Sequence, residues 1–266
     1  AVYIEENTGR QYTGAALMNV GIPLPFAVKE YEAYQFSFIR LDEAKKLYDE
    51  IKKVCGNLKL SEADTADSSS DKRIVISIYG GSGSGKTMAA ALQQYFLKDN
   101  TACYVLTGDN YPHRIPMRND EERLNVYNES GEDGLRGYLG TPKEIDFDRI
   151  NKELSEFKEG KDIIEIKHMG RQDGDISYDE TDFTGIKVLI LEWTHGGSEY
   201  LKGVDIPVFL ESSPEETKAR RIKRGRDENA ASPFICRVVE LEQEKLDLQS
   251  KNARIVVGKD GKVYEQ

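Results

Sequence analysis

The densest chemistry in the chain is the stretch GGSGSGKT, from Gly80 to Thr87. It satisfies G-x-x-x-x-G-K-[ST] and stands between a β-branched run and an Ala-rich segment, the strand–loop–helix context that such a loop requires. Glycines let successive main-chain N–H groups converge on phosphate oxygens where a Cβ would obstruct them. A following helix adds its unpaired N–H groups and the positive end of its dipole. Gly81, Ser82, Gly83, Ser84, Gly85 and Met88 are therefore expected around the phosphates of a nucleotide, with Lys86 neutralising the β- and γ-phosphates. The Thr87 hydroxyl supplies a hard oxygen ligand for Mg²⁺. A plain Gly-Ser turn leaves the Lys-Thr ending unexplained. A dinucleotide fingerprint fails because Lys86 stands where its third glycine belongs.

A phosphate-holding loop does not by itself choose between a switch, a motor and a kinase. No Asn-Lys-x-Asp reads guanine: NKEL at 151–154 lacks the Asp, and DFTG at 182–185 precedes a strand and reads as a turn. The run VLILEW ends in Glu192 alone, without the Asp-Glu pair of motor ATPases. Two carboxylates suit phosphoryl transfer. Asp109, in LTGDNYPHR, ends a strand beside the loop and could accept the proton of an attacking hydroxyl or ligate the metal. Glu192 leaves another apolar strand at the same edge and could hold Mg²⁺. The segment ETKARRIKRGRD crowds Arg220, Arg221, Lys223, Arg224 and Arg226 together, which fits either a lid over the migrating phosphoryl group or a solvated helix face.

These residues need a frame. RIVISIYG, ACYVLTG, KVLILEW, IPVFLES and ARIVVG read as strands of a parallel sheet, with helices at about 86–97, 214–223 and 233–250. DFDRINKELSEFKEG reads as a helix with Asp146 as N-cap and Gly160 as its stop. Upstream, Leu41, Ala44, Leu47, Ile51 and Val54 form the stripe of an amphipathic helix, and SEADTADSSSDK at 61–72 reads as a linker. The expected fold class is α/β: a nucleotide-kinase-like parallel sheet flanked by helices over 73–266, with a small α+β N-terminal appendage at 1–60.

Composition narrows the partners. A net charge of −10 gives no Coulombic help toward nucleic acid or anionic lipid, so neither is expected as a partner. Three scattered cysteines suggest a reducing compartment, and no apolar run approaches the roughly 20 residues of a membrane span. A cytoplasmic location follows as the expectation. The oligomeric state is open, a homo-oligomer included.

From about 73 to 266 the chain resembles the uridine kinase and phosphoribulokinase family of P-loop small-molecule kinases. The likeness runs in order through GGSGSGKT, GDNY for the family's Asp-x-[Phe/Tyr], IDFDRINKELSEFKEGKDIIEI, LILEW for its Phe-Glu-Gly strand end, RRIKRGRD for its arginine lid, and KNARIVV. The resemblance implies ATP and Mg²⁺ as cofactors and Asp109 as general base and metal-shell ligand. Thr87 and Glu192 would complete that shell, Arg224 and Arg226 would act from the lid, and Arg220 and Arg221 would lie on the nucleotide. The chain departs from the family where an Asp-His-Pro-Asp ribose clamp becomes LGTPKEID, with Gly140 and Lys143 at the acidic places. It departs again where Trp193 replaces the motif's Gly. These departures point away from a standard uridine kinase. The insertion at 111–144 is the expected substrate-facing region, with Tyr111, His113, Arg114 and Arg118, joined by the further basic residues His168 and Arg171; the cations among them would suit an anionic acceptor. His195, just past Glu192, is either a further candidate or part of a turn. The expected activity is transfer of a phosphoryl group to a hydroxyl of a small metabolite. An adenylylsulfate kinase-like enzyme and a nucleotide-gated regulatory protein are the alternatives.

Overall fold

The computed structural model describes residues 2–5, 11–13, 38–57, 72–81, 85–213, 215 and 232–266. Strands β1 (Val2–Glu5), β2 (Gln11–Thr13) and β3 (Phe38–Arg40) pair antiparallel in the order β2-β1-β3. Then follow α1 (Leu41–Asn57), β4 (Ile74–Gly80), α2 (Gly85–Lys98) and β5 (Cys103–Thr107), which runs into a 3₁₀ turn at Gly108–Asn110. Next come α3 (Pro116–Tyr138), α4 (Phe147–Lys158), β6 (Ile163–Met169) and β7 (Ile176–Asp182). The chain continues through β8 (Val188–Glu192), β9 (Ile206–Leu210), α5 (Pro233–Gln249), β10 (Ile255–Val257) and β11 (Val263–Glu265).

The main sheet has the order β11-β10-β9-β4-β8-β5; all neighbours are parallel except β10 and β11. A strand covered on both faces must be apolar on both, and every residue of β4 is buried. Its side chains alternate between two layers, as the two-residue strand period demands. Ile74, Ile76 and Ile78 join Val188 and Ile190 under α1 and α2, whereas Val75, Leu189 and Leu191 meet Phe147, Ile150, Leu154 and Phe157 on the opposite face. Strands β6 and β7 form a separate antiparallel hairpin.

The amphipathic stripe expected upstream of the linker is seen in α1, where Ala44, Leu47, Ile51 and Val54 are fully buried. They pack into the same core as β4 and α2. Asp146 caps α4 by accepting from Arg149 N at 3.2 Å, and Gly160 ends it with φ +88°. The DFTG segment is a turn: Asp182 Oδ1 accepts from Thr184 N, and Gly185 has φ +74°. Of the helix expected at 214–223 all but residue 215 lies outside the described residues. The insertion contains α3, which has non-helical backbone at Gly131 (φ 65°, ψ −162°).

Candidate active site

The loop of glycines leaves the C-terminal end of β4, at the centre of the sheet, where ligands bind in open parallel sheets. The neighbouring strands bring the two carboxylates to the same edge. The register pairs Ile78 of β4 with Glu192 of β8, and Glu192 with Thr107 of β5. Thr107 joins them: its Oγ1 accepts from Asp109 N at 3.4 Å and lies 3.5 Å from Glu192 Oε2. Asp109 is exposed, whereas Glu192 is 8% exposed. One carboxylate thus reaches outward from a turn, and the other is held in the sheet. Thr107 was missed by sequence reasoning; the only signal was a hydroxyl residue directly before Gly-Asp at a strand end.

Gly85, Lys86, Thr87 and Met88 are the first four residues of α2, the positions whose N–H groups have no acceptor within the helix. That leaves a row of main-chain donors directed at the loop, the arrangement that binds phosphate. The Met88 side chain packs against the core under α1, so any part it plays at the loop is that of its amide. Ser82, Gly83, Ser84, Arg220, Arg221, Arg224 and Arg226 lie outside the described residues, as do the side chains of Lys86 and Thr87.

Beyond Asp109 the chain is stitched into a wall. Asp146 N donates to Tyr111 O at 2.8 Å and His113 N to Glu144 O at 2.9 Å, so residues 111–113 pair with the loop before α4. Lys167 Nζ adds a bond to Pro112 O at 3.0 Å, and Met169 N donates to Asn110 Oδ1 at 3.3 Å. The expected substrate residues are dispersed along this wall. Tyr111 is fully buried and its hydroxyl donates to Glu153; burial holds that phenol protonated. His113 Nε2 lies 3.0 Å from Pro142 O, and Arg114 reaches Tyr138 Oη and Glu122. His168 is 3.9 Å from Asp179, and Arg171 is exposed in the turn between β6 and β7. Arg118, another cation of the insertion, is held by Asp173 and Glu121.

Behind the wall lies a buried polar network that sequence reasoning did not find. The Glu144 carboxylate, with no exposed surface, accepts from Arg123 Nε at 2.6 Å, Gly140 N at 2.6 Å and Asn119 Nδ2 at 3.0 Å. Desolvation pushes its pKa up, but the charge of Arg123 and these donors outweigh it, and the carboxyl lies below its ordinary value. His195, buried beside it, is driven below the usual imidazole range by desolvation and is neutral at pH 7. Gly140 has φ +63°, and a Cβ there would stand 2.8 Å from His195 Cε1. The space that a side chain at 140 would enter is thus taken by the His195 imidazole, which is backed by Glu144. Trp193, 3% exposed, packs against Phe147, Tyr111 and His195.

Mg²⁺ takes hard oxygen ligands and commonly uses only one or two protein carboxylates together with phosphate oxygens. Glu192 and Asp109, on adjacent strands at the mouth of the loop, fit that requirement. No group of three or more metal-ligating side chains occurs among the described residues.

Residues 75–257 match the model of the Phosphoribulokinase / Uridine kinase family. The whole chain is 68% identical to part of a bifunctional alpha-galactosidase/sucrose kinase of Mediterraneibacter gnavus, and it spans 27% of that protein's length. Among solved structures it is similar to the phosphoribulokinase of Rhodobacter spheroides, with 14% identity, 71% of each chain covered and a TM-score of 0.53. It is also similar to the D-glycerate 3-kinase of Cryptococcus neoformans var. grubii, with 9% identity, 84% of this chain and 99% of that one covered, and a TM-score of 0.54. At these identities the structural likenesses carry the fold alone.

Proposed function

Because the chain belongs to the phosphoribulokinase / uridine kinase family and is a small-metabolite phosphotransferase, we propose that it uses ATP with Mg²⁺ to phosphorylate a hydroxyl of a neutral sugar, sucrose being the first candidate. The observation that carries this reading is the 68% identity to a protein named for both a galactosidase and a sucrose kinase. The matched quarter of that protein corresponds to a chain with a phosphate loop and the kinase family's pattern, so the kinase activity is the one assigned to it. The geometry of the wall supports an uncharged acceptor. Arg114 and Arg118, which would have favoured an anion, are engaged by Glu122, Glu121 and Asp173.

In this reading the amides of residues 81–88 and Lys86 would hold the phosphates, while Thr87, Asp109 and Glu192 would hold Mg²⁺. Bound Mg²⁺ supplies neutralisation of phosphate charge and a template for the transfer. The Asp109 carboxylate takes the proton from the sugar hydroxyl oxygen as that oxygen bonds to the terminal phosphorus of ATP; the bond from that phosphorus to the β–γ bridging oxygen breaks and ADP leaves. Thr107 and the Gly108–Asn110 turn orient that carboxylate. By the family resemblance Arg220 and Arg221 would lie on the nucleotide, and Arg224 and Arg226 would stabilise charge on the migrating group and exclude water. A reducing cytoplasm suits three free cysteines, two of them buried with thiols pushed up to about 11 and about 12 by desolvation. No helix among the described residues is long and apolar enough to cross a membrane.

The test is a coupled ADP-release assay over neutral mono- and disaccharides, nucleosides, pentose phosphates, hydroxy acids and adenylylsulfate. Neutral sugars, sucrose foremost, should stimulate release. A nucleoside or an anionic acceptor as the best substrate would overturn the reading.

A further inference from the structure

We propose that Trp193 is a positioning residue for Asp109, acting through a size exchange between positions 108 and 193; this rests on the reading of Asp109 as the proton acceptor. A Cβ built on Gly108 would lie 1.9 Å from Trp193 Cγ, 2.2 Å from its Cδ1 and 2.4 Å from its Cβ. The last distance decides the matter. It makes any side chain at 108 incompatible with any side chain at 193, not merely with an indole. Gly108 is not among the glycines of positive φ, so the missing Cβ is demanded by Trp193 and not by the backbone. The two positions admit one side chain between them, and this chain places it at the end of β8, where the family motif has glycine.

The consequence falls on the next residue. Asp109 is exposed and sits in a three-residue turn, so where its carboxylate stands depends on where that turn is held. The indole underlies that turn from both ends. Gly108 rests on its Cγ, and Tyr111, whose N–H closes the turn on Gly108 O at 3.1 Å, has its ring 6.2 Å from the indole. The indole is itself immobilised. Trp193 N donates to Ile78 O of the central strand at 3.0 Å, Phe147 packs at 5.5 Å, and His195 meets it edge-on at 5.4 Å and 89°. Through His195, which abuts Gly140, the same floor reaches the loop before α4. The turn bearing Asp109 and the loop facing it therefore share one rigid support, the kind of backing that keeps a reacting group within a fraction of an ångström.

A purely structural tryptophan would affect stability; a positioning one affects kcat at constant affinity for ATP. The experiment measures kcat, KM for ATP and thermal unfolding of Gly108→Ala, Trp193→Gly, the double variant and Asp109→Asn, with ATP and the best sugar acceptor. Displacing a reacting group by about 1 Å can lower turnover about 100-fold, which is the expected loss in Gly108→Ala, with KM for ATP unchanged and cooperative unfolding retained. Removing the opposing side chain should relieve the clash, so the double variant should turn over at least about tenfold faster than Gly108→Ala. Turnover of Gly108→Ala close to the parent's, or a double variant no faster than Gly108→Ala, would overturn the proposal. If Trp193→Gly does not fold, the double variant is set aside and Trp193→Phe is measured as a single variant, since its Cβ would keep the clash with a side chain at 108. Its smaller ring should lower kcat about tenfold without raising KM for ATP, and an unchanged kcat would overturn the proposal. Parental activity in Asp109→Asn would strike the proton-acceptor reading itself. An inactive Asp109→Asn beside a fully active Gly108→Ala would strike only the positioning role.

Discussion

At the N-terminal end of β4 the guanidinium of Arg73, 7% exposed, donates to Lys161 O at 2.7 Å, Asp162 Oδ1 at 3.0 Å, Phe183 O at 3.2 Å and Phe157 O at 3.4 Å. Its carbon also sits 5.1 Å from the Phe157 ring centroid. At the C-terminal ends of the same sheet Asp109 is exposed on a turn, and Thr107 Oγ1 lies 3.5 Å from Glu192 Oε2. One end satisfies a buried charge with four oxygens and closes the core. The other presents two carboxylates at the strand ends, on the edge from which β4 runs on toward α2. The contrast separates what holds the sheet together from what the sheet does: a charge buried in the core must be satisfied by the protein itself, whereas an exposed carboxylate at the C-terminal strand ends stands where ligands bind in open parallel sheets.

That separation can be broken by experiment. Asp109→Asn should lower kcat about a thousandfold while leaving the thermal midpoint unchanged, measured by coupled assay and calorimetry. Arg73→Met should do the reverse. Several buried carbonyls lose their donor, so unfolding in urea should show a loss of about 3 kcal/mol, with kcat per folded molecule unaltered. If Arg73→Met altered kcat while Asp109→Asn altered stability, the division between the two ends would be wrong.

A smaller effect sharpens the picture at the catalytic end. Glu192→Gln should raise the Mg²⁺ concentration for half-maximal activity about tenfold, because a neutral amide is a weaker ligand for a hard cation. An unchanged Mg²⁺ dependence would remove Glu192 from the metal shell. The smallest expected effect concerns pH. His195 and Glu144 both have depressed pKa values in the fold, so each contributes stability that is present above its unfolded pKa and lost as pH falls through its folded one. The thermal midpoint should therefore decline on acidification from pH 7, with His195 responsible for the upper part of the decline. His195→Gln should flatten the profile between about pH 5 and 7. A profile as steep as the parent's would show that His195 is not buried in its neutral form.

Much of the frame was legible in the sequence because it rests on local signals. The apolar run of β4, the stripe of α1 and the Asp146 cap each announce themselves within a few residues. The same holds for the glycine loop. Helix α3 was not read because Gly131, Gly134 and Gly137 interrupt its pattern, and the backbone at Gly131 is indeed non-helical. The site's finer structure is non-local and left no pattern to read. Gly108 and Trp193, or Gly140 and His195, explain one another only once the strands are side by side. Glu144 likewise finds Arg123, Asn119 and Gly140 from separate parts of the insertion. The cations of the insertion invited an anionic acceptor by composition alone, and the structure shows Arg114 and Arg118 already paired.

The most direct test of the central claim is a phosphorus NMR experiment on the intact protein with ATP, Mg²⁺ and sucrose, run beside Asp109→Asn. The account predicts ADP and a sugar phosphomonoester growing in equal amounts in the parent, with neither forming in the variant although ATP still binds. ATP converted only to inorganic phosphate, or a sugar phosphate formed equally well without the aspartate, would contradict it.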